Sequence, residues 1–145
     1  MVVVVIIGVM LAVAVPRLFP SDEELTRHES EAVFALLQVA RDDAAFGGRA
    51  IAVRIDQGQL DFFERDPGNP DQWNASNSPE LKPHAFANGV SAQLSIAGNV
   101  VAPKDAQITF LAVGVSLPFE LTLASASTTA TIVGDAIGNV RMKTP

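Results

Sequence analysis

Few side chains in this chain of 145 residues could move a proton near neutral pH. His28 and His84 are the two histidines, and cysteine and tyrosine are absent. Without cysteine there is no disulfide or thiolate chemistry, and an oxidising compartment is permitted without being indicated. A serine nucleophile of the elbow type needs a second glycine after the serine. The nearest stretch, Gly89-Val90-Ser91-Ala92-Gln93, ends in Gln93 instead. A Ser-His-Asp site assembles in space, and spacing alone does not decide it. The inventory as a whole nevertheless points away from an enzyme.

Two other groups of residues invite a chemical reading. Asp66, Asn69, Asp71, Asn74 and Asn77 form an oxygen-rich loop of the kind that suits a hard cation. Its spacing departs from the EF-hand, and Pro67 and Pro70 interrupt it, so a solvated turn is expected, with no metal and no cofactor. Trp73 stands alone in this polar loop, with His84 and Phe86 downstream. These three are candidate partner-contact residues, because aromatic anchors dominate interface energetics. The competing reading folds Trp73 back onto its own domain. Arg41 and Asp42 are adjacent on a helical stretch, do not face each other, and are expected to pair with other neighbours or solvent.

The formal net charge of −6 argues against a nucleic-acid surface, which needs clustered Lys and Arg. Arg141 and Lys143 are the cations of the tail.

The elements that must position these residues divide sharply. Met1 to Pro16 carries no charged or hydrogen-bonding side chain, and everything after it reads as a water-soluble head. The run of about 15 residues, roughly 22 Å as a helix, is shorter than the approximately 20 residues of a membrane span. A secretory signal is disfavoured: nothing basic precedes the run, and Val13-Ala14-Val15 before Pro16 is a poor cleavage site. A buried strand suits the β-branched block Val2 to Ile7. Strands rarely exceed about 10 residues, however, and Gly8, Met10, Leu11, Ala12 and Ala14 suit a helix better. The expectation is a membrane-type helix with Val2, Val5, Ile6, Val9, Leu11, Val13 and Pro16 in its transmembrane or filament-core part.

Pro16 and Pro20 should bend or break that helix. Ser21-Asp22-Glu23-Glu24 then forms a capping box, and its acids suit the positive end of a helix dipole. A second helix is predicted from Asp22 to Phe46, with Val33, Leu37, Ala40 and Ala44, and Leu36 beside them, as its apolar stripe. Gly47-Gly48 ends it. Ala50–Ile55 and Leu60–Arg65 read as an antiparallel hairpin, and 66–83 as a loop. Strands follow near Val90–Ile96, Gln107–Leu111, Phe119–Leu123, Ala130–Val133 and Val140–Lys143. A long helix followed by short antiparallel strands is an α+β architecture. The predicted organisation is therefore a stem helix over 1–20, an amphipathic helix over 21–48 and an antiparallel β head over 49–145.

The run from Met1 to Leu18 resembles the N-terminal helix of type IV pilins and type II secretion pseudopilins. In that family a basic leader and a Phe-Thr-Leu-Ile-Glu-Leu-type segment precede the run, and this chain starts inside it. Six added residues would give about 21, a full span, so the sequence is expected to begin late. The family's glutamate would lie two residues before Met1. Leu37 to Ile55, Leu-Gln-Val-Ala-Arg-Asp-Asp-Ala-Ala-Phe-Gly-Gly-Arg-Ala-Ile-Ala-Val-Arg-Ile, is similar to the H-type minor pseudopilins, the GspH/FimT family. So are Ile108-Thr109-Phe110-Leu111, Pro118-Phe119-Glu120-Leu121, Gly134-Asp135 and Gly138-Asn139-Val140. The family's acidic turn after the Phe-Leu pair is replaced here by Ala112-Val113-Gly114-Val115.

The resemblance implies a pilin-like fold and a non-enzymatic subunit near the tip of a periplasmic pseudopilus. Calcium binding is associated with the family's major subunit, not the H type. The implied partners are major and minor pseudopilins and, through the stem, inner-membrane lipid. Secreted exoproteins or the outer-membrane secretin are further candidates. A FimT-type minor pilin that binds DNA during uptake is the alternative, and a membrane-anchored module for an exported substrate is another. The acidic balance weighs against DNA.

Overall fold

The computed structural model describes residues 21–56 and 58–143. The stem residues Val2, Val5, Ile6, Val9, Leu11, Val13 and Pro16 lie outside the described residues.

Helix α1 runs Asp22–Gly47. Ser21 caps it: its Oγ accepts the Glu24 N–H at 3.2 Å, which satisfies one of the orphan donors of the first turn. Gly48 closes the other end at φ 66°, a left-handed conformation that favours glycine. Val33, Leu37, Ala40 and Ala44 are fully buried, as the 3.6-residue period requires. The same stripe continues toward the N-terminus through polar residues, with Thr26, Glu29 and Ser30 also buried. The sequence pattern did not reveal that polar extension.

Two five-stranded antiparallel sheets receive the helix. The first contains β1 (Ile51–Asp56), β2 (Gln59–Arg65), β3 (Trp73–Ala75), β4 (His84–Ala85) and β7 (Gln107–Phe110). Its order is β3-β2-β1-β7, with β4 also on β2. The second contains β5 (Ser91–Ile96), β6 (Asn99–Val100), β8 (Phe119–Ala124), β9 (Thr129–Gly134) and β10 (Val140–Lys143), in the order β10-β9-β8-β5-β6. The expected hairpin is β1–β2, with Val53 opposite Phe62 and Ile55 opposite Leu60.

Alternation puts Ile51, Val53, Ile55, Leu60 and Phe62 inside from the first sheet, and Leu121, Leu123 and Ile132 from the second. The helix lies on β1 and β7 of one sheet and on β8, β9 and β10 of the other, so one apolar stripe closes both into a single core. Together these features make the α+β architecture expected from the sequence for the head.

One contact in the second sheet depends on a missing side chain. Gly134 lies opposite Phe119, and a Cβ built at Gly134 would run into the Phe119 ring. That ring also meets Phe110 edge-on at 6.1 Å, which ties the two sheets together.

Candidate interaction surface

The buried polar end of α1 fixes the long connection between β2 and β5. Glu29 Oε1 meets His84 Nε2 at 2.5 Å, and Glu29 Oε2 accepts the Ala87 N–H at 3.3 Å. One carboxylate, nearly buried, thus pins β4 and the residues after it to the helix. Phe86 is buried between these two contacts and packs edge-on to His84 at 6.3 Å. Ser30 Oγ donates to the Arg27 carbonyl at 2.8 Å, within its own turn.

Trp73, His84 and Phe86 therefore do not form one surface. Phe86 is a core residue and His84 is held against Glu29. Trp73, half-buried on β3, lies under the Arg65 guanidinium at 4.9 Å, so it packs on its own sheet. The oxygen-rich loop is exposed, and its Asp66 end is closed by its own hydrogen bonds. Asp66 Oδ1 accepts the Gly68 N–H at 2.7 Å and the Asn69 N–H at 3.2 Å, and Asp66 Oδ2 accepts from Asn74 Nδ2 at 3.1 Å. These bonds, the Gly68 N–H first and the Asn74 amide next, hold the Asp66 carboxyl below its ordinary range. No group of three or more His, Cys, Asp or Glu that could hold a metal occurs among the described residues.

The pairing of Arg41 corrects the sequence expectation. Arg41 Nη2 lies 2.9 Å from Asp42 Oδ1, and Nε lies 3.2 Å from the same oxygen. The guanidinium folds back along the helix because its long stem bridges an angle that the two Cβ vectors do not. Its Nη1 reaches Asn139 Oδ1 at 3.4 Å, linking α1 to the β9–β10 turn. Asp135 organises that turn by accepting the N–H groups of Ile137 at 3.0 Å and Asn139 at 2.9 Å. Burial raises the Asp135 pKa. The hydrogen bonds from Asn139 and Ile137 and the charge of Arg141 outweigh it, leaving the carboxyl below its ordinary value.

Around this junction lies a surface that sequence reasoning missed. Phe46, at the end of α1, is 90% exposed, Val113 is 89% exposed and Ile137 is 76% exposed. The last turns of α1, the β7–β8 loop and the β9–β10 turn enclose a depression of about 280 Å³ lined by Phe46, Ala112 and Ile137, with Arg41 and Asn139 at its side. The Ser116 N–H donates to the Ala136 carbonyl at 2.9 Å and holds the two loops together. Val115 and Leu117 extend the apolar character along the β7–β8 loop. The only sequence signal was Ala112-Val113-Gly114-Val115, an apolar tetrapeptide where a polar turn is usual. Phe46 and Ile137 share this depression with the polar Arg41 and Asn139 at its side, an arrangement of the kind found at contact surfaces, while Val113 borders a separate depression beside Arg49 and Pro67.

Among the described residues no helix is long and apolar enough to cross a membrane. No protein of curated function matches the sequence. Several solved structures share the fold. The minor pseudopilin EpsH of the Vibrio cholerae type II secretion system matches at TM-score 0.70 and 15% identity, covering 86% of this chain and 99% of that one. Escherichia coli GspH matches at TM-score 0.62 and 19% identity over 82% and 87% of the two chains. The Pseudomonas aeruginosa type IV minor pilin FimU matches at TM-score 0.59 and 17% identity over 82% and 88%. The model of the family described as "Type II transport protein GspH" matches residues 29–138, from the buried Glu29 to the glycine of the β9–β10 turn. With the greater part of its length inside that match, the chain belongs to the GspH family, the H-type minor pseudopilins of the type IV pilin-like superfamily.

Proposed function

We propose that this chain is a non-enzymatic subunit of the type II secretion pseudopilus, placed near its tip and assisting export of folded proteins across the outer membrane. Residues 1–20 form the membrane and filament-core helix, 21–48 the amphipathic helix of the head, and 49–145 its β portion. The head lies in the periplasm, and the stem crosses the bacterial inner membrane once before assembly.

The observation that supports this reading is the junction at Ser21. The first turn of α1, Ser21–Glu24, is exposed, while the apolar stripe from Val33 to Ala44 is consumed by the sheets. The proposed stem thus leads into an exposed helix end whose apolar stripe already has its packing partners. Such a stem exchanges lipid contacts for contacts with neighbouring stems while keeping its backbone bonds internal.

The test is co-purification of the full chain from detergent-solubilised membranes that contain the other pseudopilins and an exoprotein. Retention of at least one pseudopilin is expected. Binding to no pseudopilin, or a salt-dependent affinity for DNA in its place, would overturn the reading.

A further inference from the structure

We propose that Asn88 is a self-modification site: its side-chain amide is lost to the following main-chain nitrogen, and the isoaspartate that forms loosens the connection between β4 and β5. Asn88-Gly89 is the one place in the chain where glycine follows asparagine.

The reaction needs a free side-chain amide and a free N–H on the next residue. The Gly89 nitrogen gives up its proton and bonds to Asn88 Cγ, the Cγ–Nδ2 bond breaks, and ammonia leaves with that proton. Water then opens the five-membered imide at either of its two carbonyls. One opening leaves aspartate. The other leaves isoaspartate, whose main chain runs through Cβ and is one atom longer. A side chain on the residue after asparagine obstructs the attacking nitrogen, and glycine carries none.

Asn88 and Gly89 are both exposed, and a Cβ built at Gly89 would meet nothing within 4 Å. Among the described residues neither the Asn88 amide nor the Gly89 N–H takes part in a hydrogen bond. The other asparagines are each obstructed. Pro70, after Asn69, has no N–H to give. The Asn74 amide donates to Asp66 Oδ2 at 3.1 Å, and its backbone is paired in β3. After Asn77, the Ser78 N–H donates to Ser76 Oγ at 3.2 Å. Asn99 and Asn139 precede β-branched residues in strands, Val100 in β6 and Val140 in β10.

The turn at Asn88 leads into the second sheet. The Val90 N–H donates to the Ala87 carbonyl at 3.1 Å, closing a ring through Asn88 and Gly89, and Val90 is buried. Gly89 takes φ 85° to make that turn. The extra atom of isoaspartate falls inside this ring, so the bond that seats Val90 is lost. Ala87, at the other side of the turn, is the residue that Glu29 holds to α1.

The test holds the full chain in detergent at mildly alkaline pH and follows it by peptide mass spectrometry and by an isoaspartate-specific methyltransferase. Asn88 should lose ammonia at least about tenfold faster than any other asparagine. In the aged fraction, hydrogen exchange at the Val90 amide should accelerate at least about tenfold. Asn88→Gln would have to close a six-membered ring and should abolish both changes. Position 88 is exposed and its φ is not positive, so glutamine fits without strain. Freshly prepared Asn88→Asp adds the charge without the extra atom and should leave Val90 exchange within about twofold of the parent. Faster loss at another asparagine, or methyl acceptance undiminished in Asn88→Gln, would overturn the assignment of the site. Unchanged Val90 exchange after ageing, or equal acceleration in Asn88→Asp, would overturn its effect on the fold.

Discussion

Glu29 is the residue on which the head's longest connection turns. It stands on the buried stripe of α1 and receives both His84 and the Ala87 N–H. Glu29→Ala should cost about 1–3 kcal/mol, because an imidazole and a backbone donor lose a shared acceptor. In a double-mutant cycle with His84→Ala, read from urea midpoints, a coupling above about 0.5 kcal/mol is expected. Strict additivity would mean that the contact does no work. Gly134 is subject to a steric constraint instead: Gly134→Ala drives a methyl into the Phe119 ring and should destabilise by about 1–3 kcal/mol. Phe119→Leu should blunt that penalty, and an undiminished penalty in the double variant would rule out the ring as its cause. Asp66 and Asp135 set a pH response. Both carboxyls lie below the ordinary range in the fold, so their contribution is complete above the unfolded value of about 3.9 and is lost as pH falls through the folded value. In an NMR titration, the Gly68 and Asn139 amides should report midpoints below that ordinary value. A midpoint at or above it would contradict the hydrogen-bond account.

At the scale of elements, α1 carries the structure, and its two ends make different demands. Ser21→Ala removes the cap and should cost about 1 kcal/mol, seen first as faster hydrogen exchange in the opening turn. Leu37→Ala opens a hole where the helix meets both sheets and should cost about 2–5 kcal/mol in thermal melts. A smaller loss from Leu37 than from Ser21 would reverse this order of importance. The helix was legible in the sequence because capping, period and terminal glycines all agree over 26 residues. The β1–β2 hairpin was legible because its alternation is strict. Strands β3, β4 and β6 were not, since at 3, 2 and 2 residues they have no period of their own and exist through their partners. Trp73, His84 and Phe86 look like one aromatic group along the chain, yet the fold sends Phe86 to the core, His84 to Glu29 and Trp73 to Arg65. The Phe46–Ile137 surface was hidden for the converse reason: apolar residues 91 positions apart along the chain become neighbours only through the fold.

For the whole molecule, the decisive question is whether the run Met1–Pro16 belongs to the head or merely carries it. Among the described residues the core extends from Val33 to Val140, between α1 and the two sheets, and the proposed stem only carries it. A charge in the middle of the run should therefore leave the head intact and strike only the stem. In Val9→Arg, a cation at the centre of a spanning helix costs about 2.5–3.5 kcal/mol on insertion scales. Among packed stems it meets no partner in a run that has no charged residue between Met1 and Pro16. The variant should leave the alkali-washed membrane fraction and lose capture of other pseudopilins, while its unfolding free energy from urea titration in detergent stays within about 0.5 kcal/mol of the parent. Were Val2–Ile7 a strand stitched into the globular sheet, the same variant would lower that free energy by several kcal/mol instead. The two readings thus move opposite observables, and a single substitution separates a stem from a strand.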